Sequence, residues 1–171
     1  MKILKYAGIA LVAILVLFLS VGLFIPRFEY SASVLVNATP EKCWAIMNDT
    51  TKMKKWIPGF ISFTLVNGEY LQAGSAYEIV LSQDKVYRMQ ETLKEVNPPQ
   101  WAAFELHNEV MQSEYGFRLT ANASQTEIQA QYAVTGNNLI WRSILMLSKS
   151  YLQKNTQEQL DSLKAEIESG N

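Results

Sequence analysis

The first 26 residues carry a hydrophobic pattern unlike that of the rest of the chain. Tyr6–Ile25 is a run of 20 residues without a charge, nearly all Leu, Val, Ile, Ala, Phe or Gly. At about 1.5 Å of rise per residue, such a helix is about 30 Å long, the thickness of a bilayer's hydrocarbon core. It is apolar all round, whereas the core helix of a soluble domain keeps one polar face. A signal peptide normally has an apolar stretch of about 7–15 residues before a small-residue cleavage site. This run is longer and ends in bulky Leu23, Phe24 and Ile25, so an uncleaved anchor is the better reading. Lys2 and Lys5 lie before the span, while Arg27 and Glu29 offset each other after it. The positive-inside bias then puts the N-terminus in the cytoplasm and residues 27–171 outside, facing the periplasm if the membrane is a bacterial inner one. Residues 1–26 are expected to be a transmembrane anchor, and 27–171 a single domain.

After Pro26 the pattern alternates. Phe28–Val36 reads as a strand, closed by Asn37-Ala38-Thr39-Pro40. Thr39 is a good N-cap and Pro40 a good first helical residue, so a short helix runs to about Met47 with Cys43, Trp44 and Met47 along one side. A second short helical piece covers Thr50–Lys55, and Trp56-Ile57-Pro58-Gly59 ends it. Strands follow at Ile61–Val66, Tyr77–Leu81, Val86–Val96, Trp101–His107, Val110–Thr120 and Thr126–Val134. Asn67-Gly68 and Asn97-Pro98-Pro99 mark turns, and the short links predict an antiparallel meander. Gly136-Asn137-Asn138 opens a helix from Leu139 to about Ser169. Its first half has a broad apolar face, and its second half narrows to Leu160, Leu163 and Ile167.

Composition sharpens this picture. The 171-residue chain has net charge −1, a pI of about 5.9 and 18% charged residues. Lys2 and Lys5 are the only charges in residues 1–26, so the remainder stands at −3. That balance argues against a nucleic-acid partner, which requires a basic face. One cysteine and one histidine exclude an internal disulfide and an ordinary structural zinc site. There is no Gly-rich phosphate loop, HExxH or GxSxG, and no cofactor is expected. Lys52, Lys54 and Lys55 form a small basic cluster that reads as a solvated face.

Several segments together resemble a known superfamily. Ser33–Phe60, SVLVNATPEKCWAIMNDTTKMKKWIPGF, is similar to the opening of START-like (SRPBCC) proteins, with Thr39-Pro40, Trp44, Asp49, Trp56 and Pro58 on its motif positions. Glu91–Leu106, ETLKEVNPPQWAAFEL, looks like the family's strand–Pro-Pro–strand crossing, with Asn97 where Asp is common. Thr126–Gly136, TEIQAQYAVTG, resembles the last strand before the long helix. The resemblance covers about residues 30–168. It implies an α+β helix-grip fold: a curved antiparallel sheet of about seven strands wrapped on a long C-terminal helix, here after one transmembrane helix. It also implies a cavity between sheet and helix that often takes a hydrophobic ligand, as in polyketide cyclase/dehydrase-like and lipid-transfer members.

The phase of the strands supplies a candidate lining. Tyr77, Ile79 and Leu81 share one face of their strand, as do Tyr87, Met89, Glu91 and Leu93. Tyr115, Phe117 and Tyr132 follow from the last two strands, and Ile144, Leu147 and Tyr151 from the helix. A packed core would show the same alternation, but buried tyrosines need hydroxyl partners, which suits a pocket with polar anchors. Glu91, in phase with apolar neighbours, is the foremost acid–base candidate. His107 shares a face with Trp101 and Glu105 and is the second. A Cys43–His107 nucleophile pair has the right residue types, but helical, Trp-flanked Cys43 reads as core.

Three functions are compatible with these features. The leading one is a membrane-anchored binding or carrier domain for a lipid or other hydrophobic small molecule. The others are a cyclase/dehydratase-like enzyme acting on a polyketide or aromatic substrate, and a non-catalytic envelope scaffold with a filled core. A cavity of about 300 Å3 or more would favour a ligand, and a filled interior the scaffold.

Overall fold

A computed structural model describes residues 2–82 and 84–169. The N-terminal apolar run is helix α1 (Lys2–Phe24). Among the described residues it is the one helix long and apolar enough to cross a membrane, over Leu4–Phe24. The chain then forms β1 (Arg27–Val36), α2 (Pro40–Met47), α3 (Met53–Trp56), β2 (Phe60–Asn67), β3 (Ala76–Ser82), β4 (Val86–Asn97), β5 (Trp101–His107), β6 (Met111–Asn122) and β7 (Gln125–Gly136). Two helices, α4 (Leu139–Leu147) and α5 (Lys149–Ser169), complete it. Thr39 caps α2 by accepting from the Lys42 N–H, and Pro40 fills the first helical position, as expected.

The seven strands form one antiparallel sheet in the order β1-β7-β6-β5-β4-β3-β2. The meander thus closes by pairing its first strand with its last, Arg27 opposite Thr135 and Val36 opposite Thr126. Helix α5 crosses the concave side. Its distal half buries Leu160, Leu163 and Ile167 with Val36, Cys43, Ile46, Leu119 and Ile128, the main packed core. A smaller cluster of Phe28, Val134 and Leu145 lies at the other end of the sheet. Between them the interior is not filled.

Two departures from the expected pattern matter. Asn67-Gly68 does not make a two-residue hairpin: β2 and β3 are joined by residues 68–75. Gly68 has a φ of +91°, and a Cβ there would meet Ser75 Oγ, whose hydroxyl ties this loop to the Glu69 backbone. The single long C-terminal helix is also broken, at Ser148, whose N–H still donates to Ile144 O at 2.9 Å. Leu145 packs onto Phe28 and Val134, while Ile140, Ile144, Leu147 and Tyr151 are exposed.

Candidate functional site

The register of the sheet assembles the site. One row across it reads Tyr77, Glu91, Leu106, Ser113 and Val134, each opposite the next on neighbouring strands. The adjacent row reads Phe104, Tyr115, Tyr132 and Tyr30. Because side chains two apart share a face, both rows point to the concave side. The second row is an aromatic ladder, with ring centroids 5.2 Å apart for Phe104–Tyr115, 5.2 Å for Tyr115–Tyr132 and 5.0 Å for Tyr132–Tyr30, all stacked. At its end Tyr30 shares a hydrogen bond with Thr156 of α5.

These rows wall a cavity of about 230 Å3. Trp44, Met47, Met53, Trp56 and Ile57 of the α2–α3 segment close it on one side, and Leu152 and Gln159 of α5 on another. The β2–β3 loop contributes Leu71, held by its N–H donating to the Tyr77 hydroxyl at 2.8 Å, while Tyr70 donates to Asn48 O at 2.6 Å. Lys55, and more distantly Lys52, pair with Glu166 of α5 at 2.9 and 3.9 Å, which fastens α3 over the cavity. Two of the three clustered lysines are therefore structural, rather than members of a freely solvated face.

Glu91 is the one carboxylate among the described lining residues, and no Lys, Arg or His joins it there. It is 4% exposed. Burial pushes its carboxyl up to about 7, offset only in part by a hydrogen bond with Tyr115. Burial and the nearby Glu91 charge in turn push the Tyr115 hydroxyl well above its ordinary range, so it stays a donor. Two further buried polar atoms on the wall, Trp56 Nε1 and Ser113 Oγ, have no protein partner. Orphaned donors in an otherwise satisfied interior are unusual and mark places where a bound molecule or water completes the bonding. The site therefore combines a large apolar surface with one protonatable carboxyl, several tyrosine hydroxyls and the amides of Asn48 and Gln159.

Most of the expected lining is in place: Tyr77, Ile79, Leu81, Met89, Glu91, Tyr115, Phe117 and Tyr132. Leu93 is fully buried among Tyr77 and Ala102 as solid core, outside the cavity wall. Tyr87 shares the phase of Glu91, but it lies past the cavity near the β3–β4 turn and donates to Asp84 at 2.7 Å. Ile144, Leu147 and Tyr151 do not reach the cavity: they are exposed, and Leu152 and Gln159 line it instead. His107 is on the convex face opposite Gln112, 3.1 Å from Glu105. Lys94 and Gln112 also bind Glu105 and help hold its carboxyl down to about 2, so this cluster is a surface network remote from the cavity. Cys43 is wholly buried in the main core with its thiol pushed up by burial, and it makes no pair with His107.

Sequence reasoning missed Trp56, Ser113 and the β5 contribution of Ala102, Phe104 and Leu106. The facing of β5 follows from its pairing, Leu106 opposite both Glu91 and Ser113, which alternation within one short strand does not reveal.

A curved sheet gripping a helix around an apolar cavity defines a helix-grip protein, with a pocket rather than a solid interior. The chain belongs to the polyketide cyclase / dehydrase and lipid transport family, which matches residues 27–168, within the START-like superfamily. Solved structures share the fold at low identity. An aromatase/cyclase from a Streptomyces species is 12% identical with a TM-score of 0.68, over 83% of this chain and 94% of that one. The protein Ara h 8.0201 is 11% identical with a TM-score of 0.65, over 84% and 99%. A Staphylococcus aureus protein of unknown function is 13% identical with a TM-score of 0.68, over 84% and 95%. Curated protein sequences contain no match to this chain.

Proposed function

We propose that this chain is a membrane-anchored binding or carrier domain that encloses a compact hydrophobic molecule bearing one polar end. The observation that carries this reading is the apolar cavity whose wall holds one carboxyl, Glu91, without a counter-charge. Its volume of about 230 Å3 falls short of the roughly 300 Å3 at which small-molecule sites usually begin. A cavity of about 150 Å3 nonetheless holds a single benzene ring, so one or two fused rings, or a medium-length acyl chain, suit this one better than a diacyl lipid. A carboxyl protonated near neutrality and an indole N–H both donate, which favours a ligand whose polar end is a carbonyl or hydroxyl oxygen. The family and its cyclase and lipid-transport members support the same class.

Anchoring by residues 6–25 gives this domain a high local concentration of membrane-borne ligand. The Gly22 N–H donates to Ser143 Oγ at 3.0 Å, a contact that cleavage of the helix would discard, and this favours retention over a leader role. The N-terminus is placed in the cytoplasm and the domain outside. Protease added to sealed cells or spheroplasts should digest the domain, and digestion only after access from the cytoplasmic side would reverse this orientation.

Glu91 supports a second reading, a cyclase/dehydratase-like enzyme, because a carboxyl at about 7 can both give and take a proton. The two readings separate on one residue. Full-length protein extracted from membranes, delipidated and offered hydrophobic probes such as a naphthol or a medium-chain fatty acid should bind them, read by native mass spectrometry. Under the carrier reading Glu91→Gln retains most of that binding, because the amide still offers a donor. Under the enzyme reading Glu91→Gln binds substrate but loses turnover. A protein that takes up none of these probes would overturn both.

A further inference from the structure

The apolar face expected on the cavity side of the C-terminal helix points outward, and its stripe is continuous with the anchor. Ile140, Ile144, Leu147 and Tyr151 recur at spacings of four, three and four and are 55%, 37%, 64% and 65% exposed. Such a stripe on a soluble surface calls for a partner. We propose that α4 lies in the membrane interface on the domain's side, with this stripe against lipid. This inference rests on the reading of residues 6–25 as an anchor.

Three observations commit the stripe to lipid. First, α4 packs directly on α1. At Gly22 there is no room for a side chain, since a Cβ would come within 2.5 Å of Leu139 O and 2.6 Å of Ser143 Oγ. Small residues that let two backbones approach closely are the usual means of helix pairing in bilayers. Second, the contact fixes depth. Gly22 lies two residues before the end of the Leu4–Phe24 span, and the partly covered stretch of α1 reaches back to Phe18. At about 1.5 Å per residue, α4 crosses the span about 3–9 Å below its end, the depth at which interfacial helices lie. Third, the helix is polarised for that position. Successive residues turn by about 100°, so Arg142 falls on the side opposite Ile144, and its Nε donates to Gly136 O at 3.1 Å. Tyr151, at the stripe's end, is a residue type that favours the headgroup level.

The position bears on the cavity. The inner face of α4 places Trp141 and Leu145 in a cluster with Met111, Val134 and Leu152, and these last three also line the cavity. One helix thus meets lipid on one side and, on the other, backs wall residues of the cavity without lining it. Only α4 and the wall residues Met111, Val134 and Leu152 then separate bilayer from cavity.

The test uses the full chain with Cys43→Ala and one introduced cysteine at a time, labelled with an environment-sensitive fluorophore. The protein is reconstituted into phosphatidylethanolamine/phosphatidylglycerol vesicles containing nitroxide lipids. Leu15→Cys reports the span, Leu147→Cys the proposed interface, and exposed Ser124→Cys the far hairpin between β6 and β7. The expected result is deep quenching at Leu15, about twofold quenching by shallow nitroxides with a blue-shifted emission at Leu147, and neither at Ser124. Quenching at Leu15 with an aqueous Leu147 that matches Ser124 would overturn this inference and leave the anchor standing. An unquenched Leu15 would overturn the anchor, and the inference with it.

Discussion

Glu91 titrates near neutrality because burial removes the water that would solvate its carboxylate, and one tyrosine O–H replaces only part of it. A carboxyl raised from about 4.5 in the unfolded chain to about 7 in the folded one binds its proton more tightly when folded. Its contribution is therefore intact below about pH 4.5 and lost as pH rises through 7, the reverse of a salt-bridged acid. From the size of the shift, the loss is on the order of 3 kcal/mol. Glu91→Gln should abolish this slope: chemical denaturation at pH 5 and pH 8 should show the wild type weakening between the two and the variant nearly flat. A wild type equally stable at both would mean that water reaches the carboxyl. Glu91 was legible as an inward charge from its phase with Met89 and Leu93. The exclusion of His107 was not, because one face of β5 looks much like the other in sequence.

Helix α4 shows how an element can be read correctly and oriented wrongly. Its apolar residues and its start after Gly136-Asn137-Asn138 were evident in sequence, and in the structure Asn138 caps it by accepting from the Trp141 N–H at 3.0 Å. Which apolar side faces the sheet was not evident, because the helix has apolar residues on three sides: toward the sheet, toward α1 and outward. The packing of Leu145 on Phe28 and Val134, residues distant in sequence, makes the choice. Gly22→Val should test the α1 contact, since a side chain there meets backbone at Leu139 and Ser143. We expect hydrogen exchange across residues 139–147 to rise by tenfold or more, equivalent to about 1.4 kcal/mol of lost local stability, while residues 149–169 keep their protection. Equal protection in both proteins would show that α1 does not hold α4. The β2–β3 loop offers a similar lesson: Asn67-Gly68 signalled a turn, but its eight residues and their bonds to Tyr77 and Asn48 depend on partners distant in sequence.

In the whole molecule, the packed core and the open cavity occupy different parts of one concave surface. Leu160, Leu163 and Ile167 fill the distal part, while the cavity lies beneath β3–β7 near the cluster of Phe28, Val134 and Leu145. Met47, Met53 and Trp56 belong to both, but Leu106 lies outside the main core. Leu106→Trp, which enlarges a wall residue into about 230 Å3 of space, should lower affinity for a naphthol-sized probe at least tenfold and leave the melting temperature unchanged or higher. A large fall in melting temperature would mean that the space is not available. The order of elements, the antiparallel meander and the apolar span followed from the sequence, because periodicity, caps and unbroken hydrophobicity act within a few residues, and the superfamily followed from the resemblance of three segments. Three features came from the tertiary structure: β5 turning Leu106 inward and His107 outward, the cavity left between two cores, and the outward stripe on α4. Each depends on register or packing between segments many residues apart, where a one-residue shift in pairing or a single bend in a helix reverses which face is buried.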